Sequence, residues 1–353
     1  MTPLEAEIRA IIEADGPMTF ARYMELCLSH PQYGYYMTRD PFGVAGDFTT
    51  APEISQMFGE LIGAWAAAVW QQMGSPSSVK LIELGPGRGT LMADALRAAK
   101  ALPDFRAALS VHLVEISPVL RARQQKTLAG AGVPVAWHRA LEEIDDGPVI
   151  VIANEFVDAL PIQQYASGND GWHMLMVRID GGRLNFTLAP DHAFRISAND
   201  PVGTIVEHRL DGPIRLLARR IARQGGAALI VDYGNAKTTY GNTLQAARRH
   251  QYAEVLEHPG EADITSLVDF EQLAGTVRRE GAQVRGPVEQ GEFLRRLGIE
   301  ARAAKLKAKA TSQQANDIDS ALARLTAPDQ MGALFKVLAI AHPKLGPLPG
   351  FDS

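Results

Sequence analysis

Glu83-Leu84-Gly85-Pro86-Gly87-Arg88-Gly89 decides the fold, because this stretch closes one element and opens another. Before it runs Val79-Lys80-Leu81-Ile82, short and apolar in the manner of a buried parallel strand. After it, Thr90 to Lys100 carries Leu91, Ala95, Leu96 and Ala99 at helical spacing, with no proline. A strand, a glycine turn and a helix together set backbone N–H groups and a positive helix end beside a ligand. The glycines allow a close approach and torsions that a Cβ forbids.

An acid ahead of the turn bears on the ligand. Glu83 stands two residues before Gly85. A dinucleotide would put its pyrophosphate at such a turn, where a carboxylate is unfavourable. S-adenosylmethionine has no phosphate and brings an ammonium and a sulfonium, which acids attract. The next apolar run, Val111-His112-Leu113-Val114, ends at Glu115, 26 residues beyond Gly89. There the second strand of a βαβ unit should end and a ribose diol would be held. The competing readings are ordinary strand-end acids and a nicotinamide cofactor; the acids favour adenosylmethionine. The cofactor-side candidates are Glu83, Gly85, Pro86, Gly87, Gly89, Glu115 and Ile116, with Asn154 from a later strand.

Length and composition describe an ordinary globular enzyme. A chain of 353 residues exceeds one average domain, so one domain with additions is expected. A net charge of −5 argues against a general nucleic-acid binder. The single Cys27 excludes an intramolecular disulfide and any multi-cysteine metal site, and its apolar helical setting reads as a buried thiol. The histidines show no paired ligand spacing, so no metal is expected. The start lacks signal or transit-peptide character, and no apolar run reaches the length of a membrane span. The reading is a soluble protein of a reducing compartment, without membrane insertion.

Thr2, Pro3 and Glu5 form a capping box that starts a helix, which stops at Asp15-Gly16-Pro17. A second helix runs from Thr19 to about Ser29. Residues 31–56 read as a long aromatic loop, a type of segment that is usually functional; Tyr36, Asp47, Phe48 and Thr49 are its candidate substrate-side residues. From Glu53 a helix follows with Ile54, Met57, Phe58, Leu61, Ile62, Trp65 and Val69 as its core stripe. From residue 79 strand and helix signals alternate, which implies an α/β fold with a parallel sheet. Further strands are predicted at 133–137, 149–152, 228–231 and 334–340, with a short one from Gln283. Residues 172–179 and 183–188 flank Asp180-Gly181-Gly182 as a hairpin. The expected division is a helical extension with its loop over 1–78 and a sheet domain over 79–353. The latter carries cap insertions at about 159–212 and 235–265 and a helical insertion at about 291–326. The run Arg302, Lys305, Lys307, Lys309 reads as a solvated helix face.

The strand at 149–152 leads into Ala153-Asn154-Glu155-Phe156-Val157-Asp158. Ligands sit beyond the carboxyl ends of strands in open parallel sheets, so this turn should share a cleft with Gly85. The Asn/Asp-Pro-Pro-Tyr turn of nucleic-acid amino methyltransferases is absent. Arginine methyltransferases place paired acids here, and Glu155 with Asp158 could hold a planar guanidinium bidentately. Equally, Glu155 could cap a helix and Asp158 be solvated. In the 243–265 loop, His250 and Asp263 can add polar groups to a site or remain surface residues.

Several stretches together resemble a known family. Pro31-Gln32-Tyr33-Gly34-Tyr35-Tyr36 and Asp47-Phe48-Thr49-Thr50-Ala51-Pro52-Glu53-Ile54-Ser55 look like its amino-terminal signatures. The Glu83–Gly89 and Asn154–Pro161 stretches, Val231-Asp232-Tyr233-Gly234 and Pro259-Gly260-Glu261-Ala262-Asp263-Ile264-Thr265 follow in the same order. This is the MidA-like family of S-adenosylmethionine-dependent methyltransferases, which includes the mitochondrial complex I assembly methyltransferase; the resemblance covers about residues 10–342. It implies a class I methyltransferase sheet of seven strands, mostly parallel, with the last strand antiparallel between its neighbours. It also implies methylation of an arginine on a protein partner, such as a subunit of respiratory complex I, in support of its assembly. Glu155 and Asp158 would then be the catalytic acids. A cytoplasmic location is expected for this chain, and the mitochondrial matrix for eukaryotic relatives. A small-molecule methyltransferase and a cofactor-binding assembly factor that does no chemistry are the alternatives.

Overall fold

The computed structural model describes residues 1–41, 49–194, 201–248 and 251–351. Asp47, Phe48 and His250 lie outside these residues. The chain forms two compact units. The first joins Met1–Pro41, Asp158–Asp211 and Thr239–Leu267; the second joins Phe42–Val157, Gly212–Thr238 and Val268–Ser353. The 1–78 extension of the sequence reading is therefore divided, with 49–78 belonging to the second unit.

The second unit is built on one sheet. Its strands, numbered in chain order, are β1 (Val79–Leu84), β2 (Leu109–Val114), β3 (Val135–His138), β4 (Val149–Asn154), β5 (Gly226–Asn235), β6 (Val268–Asp269), β7 (Gln283–Glu289) and β8 (Phe335–Ala341). The ladder runs β7-β8-β5-β4-β1-β2-β3, and β6 pairs with the end of β5. β3, β2, β1, β4 and β5 are mutually parallel. β8 is antiparallel to both β5 and β7. The two-residue β6 makes an eighth strand that the sequence reading lacks, since two residues carry no periodicity to read. β4 is buried along its whole length, which explains its uninterrupted apolar run.

Helices of this unit include α1 (Ala51–Ile54), α2 (Gln56–Gln72), α3 (Thr90–Ala99) and α4 (Pro118–Thr127). The sequence pattern runs one helix from Glu53, but Ser55 is extended (φ −159°) and divides α1 from α2. Its hydroxyl accepts the N–H of Met57 at 3.2 Å and so caps α2. Met57, Phe58, Leu61, Ile62, Trp65 and Val69 are buried, as the stripe predicts, while Ile54, in α1, is only half-buried. A Cβ on Gly63 would lie 2.7 Å from the Cα of Ala95, so glycine is what lets α2 and α3 pack backbone to backbone. On α2, Glu60 is 7% exposed and its carboxylate accepts from Arg97 Nε at 3.0 Å and Arg302 Nε at 2.6 Å. Arg302 therefore leaves the solvated face expected of its helix, because a carboxylate this buried needs cationic partners.

The first unit holds helices Pro3–Asp15 and Phe20–Ser29, a five-stranded antiparallel sheet and a three-stranded one. The capping box is only half formed. Thr2 Oγ1 accepts the N–H of Glu5 at 3.1 Å, but the Glu5 carboxylate accepts from Arg9 instead of closing back. The predicted hairpin pairs Gly171–Asp180 with Arg183–Pro190, turning through Gly181 and Gly182, both at positive φ. Cys27 is fully buried. Among the described residues, no helix is long and apolar enough to cross a membrane.

Candidate functional site

The glycine turn lies where the sheet changes direction of growth. From β1 the chain adds β2 and β3 on one side, then returns to lay β4 on the other. Leu84 pairs with Val114 of β2 and with Ala153 of β4, so Gly85, Glu115 and Asn154 leave three adjacent strands at one level. Such a switch point is where open α/β sheets bind ligands. Gly85, Gly87 and Gly89 have φ of 61°, 53° and 80°. A Cβ on Gly85 would stand 3.0 Å from the Phe156 ring, a tight contact added to the strain of its positive φ. Pro86 is buried and Ile116 half-buried.

Two buried acceptors stand unsatisfied at this level. Glu83 is 3% exposed, and its Oε2 has no hydrogen-bond partner among the described residues; neither has the buried Oδ1 of Asn154. Leaving such an atom unpaired costs about 1–3 kcal/mol, which a bound donor would recover. Burial, and then the nearby Glu115, push the Glu83 carboxyl well above the usual range. Glu115 is raised to about 6 by burial, against the donors it receives. Its Oε1 accepts the N–H of Ser117 at 2.8 Å, and its Oε2 accepts Gln124 Nε2 at 3.1 Å. Buried acids beside a glycine turn, one of them with an unsatisfied oxygen, suit a ligand with an ammonium and a ribose and do not suit a pyrophosphate.

The turn after β4 is held from several directions. Glu155 adopts φ +49°, a left-handed conformation rare outside glycine. Its N–H donates to Val231 O at 2.9 Å. Its carboxylate accepts Asn154 Nδ2 and the backbone N–H of Ala51, each at 3.2 Å. The helix that Glu155 caps is thus α1, which lies before it in the chain. The fully buried Asp232 accepts the N–H of Val157 at 2.9 Å through its Oδ2, fixing the next residues. At the other end of α1, Glu53 accepts from Thr90 Oγ1 at 2.5 Å and lies 3.6 Å from Arg88. One short helix is therefore tied both to the glycine turn and to the turn of Glu155.

Asp158 begins the second segment of the first unit and is buried, contrary to the solvated alternative. Its carbonyl accepts from Arg209 at 2.9 Å, and the same guanidinium donates to Leu160, Ser266 and Leu267. Within that unit Tyr36 donates to Asp263 Oδ1 at 2.9 Å. Burial, Asp263 and then Asp158 raise the phenol well above its ordinary value. Thr49 is half-buried in the second unit. Among the described residues, no group of three or more histidines, cysteines or acids is placed to hold a metal.

Gln124, Glu53 and the bonding role of Asp232 are not in the residue-by-residue reading. Glu53 and Asp232 lie inside stretches that carried the resemblance, so a signal for them existed; Gln124 sits in an unremarkable polar helix.

Comparison with known proteins agrees with this geometry. A family model describing S-adenosyl-L-methionine-dependent methyltransferases matches residues 61–288. The chain is 38% identical to the protein arginine methyltransferase NDUFAF7 homolog, mitochondrial, of Drosophila melanogaster, over 99% of this chain and 88% of that one. It is 35% identical to protein arginine methyltransferase NDUFAF7, mitochondrial, of Homo sapiens, over 96% and 83%. A crystal structure of a Burkholderia thailandensis protein bound to S-adenosyl-homocysteine aligns with a TM-score of 0.83 at 30% identity, over 99% of this chain and 92% of that one. The turn, the acids at the ends of β1 and β2, and these full-length similarities converge: the chain belongs to this family of S-adenosyl-L-methionine-dependent methyltransferases, and its cofactor is S-adenosyl-L-methionine.

Proposed function

We propose that the acceptor is an arginine side chain of a protein partner, and that the partner is a subunit of respiratory complex I whose assembly the modification supports. The observation that carries this reading is the similarity, over nearly the whole chain, to proteins named as protein arginine methyltransferases. Within the site, Glu115 would hold the ribose hydroxyls; Glu83, Asn154 and the Gly85–Gly89 turn would hold the methionine end. The unsatisfied oxygens of Glu83 and Asn154 support that assignment. Glu155 and Asp158 are the proposed acids for the guanidinium, and Tyr36 and Asp263 belong to the acceptor side. Asp47, Phe48, Thr49 and His250 are proposed for that side from sequence alone.

The cofactor supplies an electrophilic methyl group on a sulfonium. The acids of the chain orient one guanidinium nitrogen so that its lone pair meets the methyl carbon. The carboxylates would stabilise the charge as the nitrogen takes the methyl and neutral S-adenosyl-homocysteine departs, and one of them would accept the nitrogen's proton and pass it to water. Purified chain with methyl-labelled cofactor, added to extract from cells lacking this protein, tests the reading. Mass spectrometry should place the label on arginine in a protein. Label confined to small molecules would support the alternative acceptor class, and no transfer at all would support a holding role.

A further inference from the structure

The polar contacts behind the glycine turn meet in one residue. Gln124, on α4, is fully buried. Its Nε2 donates to the carbonyl of Gly87 at 2.8 Å and to Glu115 Oε2 at 3.1 Å. Its Oε1 accepts the indole N–H of Trp137, in β3, at 3.0 Å. An indole nitrogen can only donate, so Trp137 fixes which way the amide points: oxygen toward the indole, both N–H groups toward Gly87 and Glu115. The amide thereby uses both its donors on two elements assigned to opposite ends of the cofactor.

We propose that Gln124 is a positioning residue of the cofactor site, locking the Gly87 carbonyl and the Glu115 carboxylate to one another. The turn and the ribose-side acid then meet the cofactor as one preformed surface, with the ordering cost met on folding and not on binding. Trp137 belongs to the same device, because without its N–H the amide can rotate and face Glu115 with its oxygen. The inference rests on the reading that Glu115 holds the ribose.

Calorimetry with S-adenosyl-homocysteine and its 2′-deoxy analogue separates the possibilities. The unmodified protein should prefer the ribose form, and Glu115→Gln should erase most of that preference. Gln124→Met keeps the volume and loses both donors. It should weaken S-adenosyl-homocysteine by about tenfold to a hundredfold and shrink the ribose preference. Gln124→Glu should be worse, since it turns a carboxylate toward Glu115 and the Gly87 carbonyl. Trp137→Phe, which leaves Gln124 in place, should give an intermediate loss and covers the case in which Gln124→Met fails to fold. A purely structural role would lower melting temperature while leaving the ribose-to-deoxy ratio unchanged, and that result overturns the proposal. If Glu115→Gln itself keeps the preference, the ribose reading fails and the positioning role falls with it. If Glu115→Gln loses the preference while Gln124→Met and Trp137→Phe retain it, only the role of Gln124 is wrong.

Discussion

The backbone N–H of Ala51 donates to the carboxylate of Glu155 at 3.2 Å, joining the start of α1 to the turn after β4. That contact makes Glu155 more than a strand-end acid. Its backbone is held at φ +49°, and its carboxylate is steadied by Ala51 and Asn154. A non-glycine residue kept in that conformation costs on the order of 1–3 kcal/mol, and such strain clusters at functional turns.

Glu155→Gln tests the chemical role. Glutamine retains an oxygen that can accept from Ala51 and Asn154, so the turn should keep its shape. The charge is gone, and with it one charge-assisted contact of about 1.5–3 kcal/mol. Methyl transfer should fall about tenfold to a few hundredfold while S-adenosyl-homocysteine affinity changes little. Transfer at the normal rate in a labelled-cofactor assay would remove Glu155 from the mechanism.

Gly87→Val addresses the turn. Gly87 has φ +53°, which a β-branched residue adopts only with strain, and its carbonyl is engaged by Gln124. Cofactor affinity should drop at least tenfold by calorimetry, with the far-ultraviolet circular dichroism unchanged because β1 and α3 have their own packing. Normal affinity would show that the turn does not contact the cofactor.

The centre of the sheet was legible because β4 and β5 are buried on both faces and so spell continuous apolar runs, Val149–Ile152 and Ala228–Val231. The glycine turn was legible because three left-handed positions so close together leave little choice but glycine. What stayed hidden depended on partners distant in sequence. Glu60 and Arg302 are 242 residues apart, and only the fold brings their side chains together. Ser55 gave no sign that it would divide one amphipathic stripe into two helices, since a serine fits either arrangement. Gln124 was invisible for a further reason: its meaning lies in three contacts, with Gly87, Glu115 and Trp137, and none of them is local.

Glu60→Ala should destabilise the second unit without touching the chemistry. It removes the acceptor that Arg97, which keeps Asp94, shares with Arg302, and so loosens α5 (Ile299–Lys307) from α2. Arg97 and Arg302 are partly exposed and can return to water, so the loss should be about 2 kcal/mol and not the larger cost of a stranded buried charge. The partners hold the Glu60 carboxyl below its usual value. Its contribution is therefore present above the unfolded-state value and is lost as pH falls through the folded one. Urea unfolding at pH 7 should show the full difference from the unmodified protein, and the difference should narrow on acidification.

The ribose-side acid predicts an opposite pH dependence. Burial raises Glu115 to about 6, from an ordinary glutamate value of 4.5, despite the donors from Ser117 and Gln124 and the nearby charge of Arg121. Glu83, facing it from β1, is raised as well. A group whose folded value is raised favours the folded state while protonated in both states. That contribution is present below about 4.5 and is lost as pH rises through about 6. Ligand binding should run the other way, because ionised acids hold an ammonium and accept from ribose hydroxyls better than neutral ones do. Affinity for S-adenosyl-homocysteine should therefore climb between pH 5 and 7, by up to about tenfold for one group titrating near 6, and level off above. Glu115→Gln should flatten the part of the profile near pH 6 while leaving any slope due to Glu83. An affinity independent of pH from 5 to 7 in the unmodified protein would mean that the Glu115 carboxylate does not contact the cofactor.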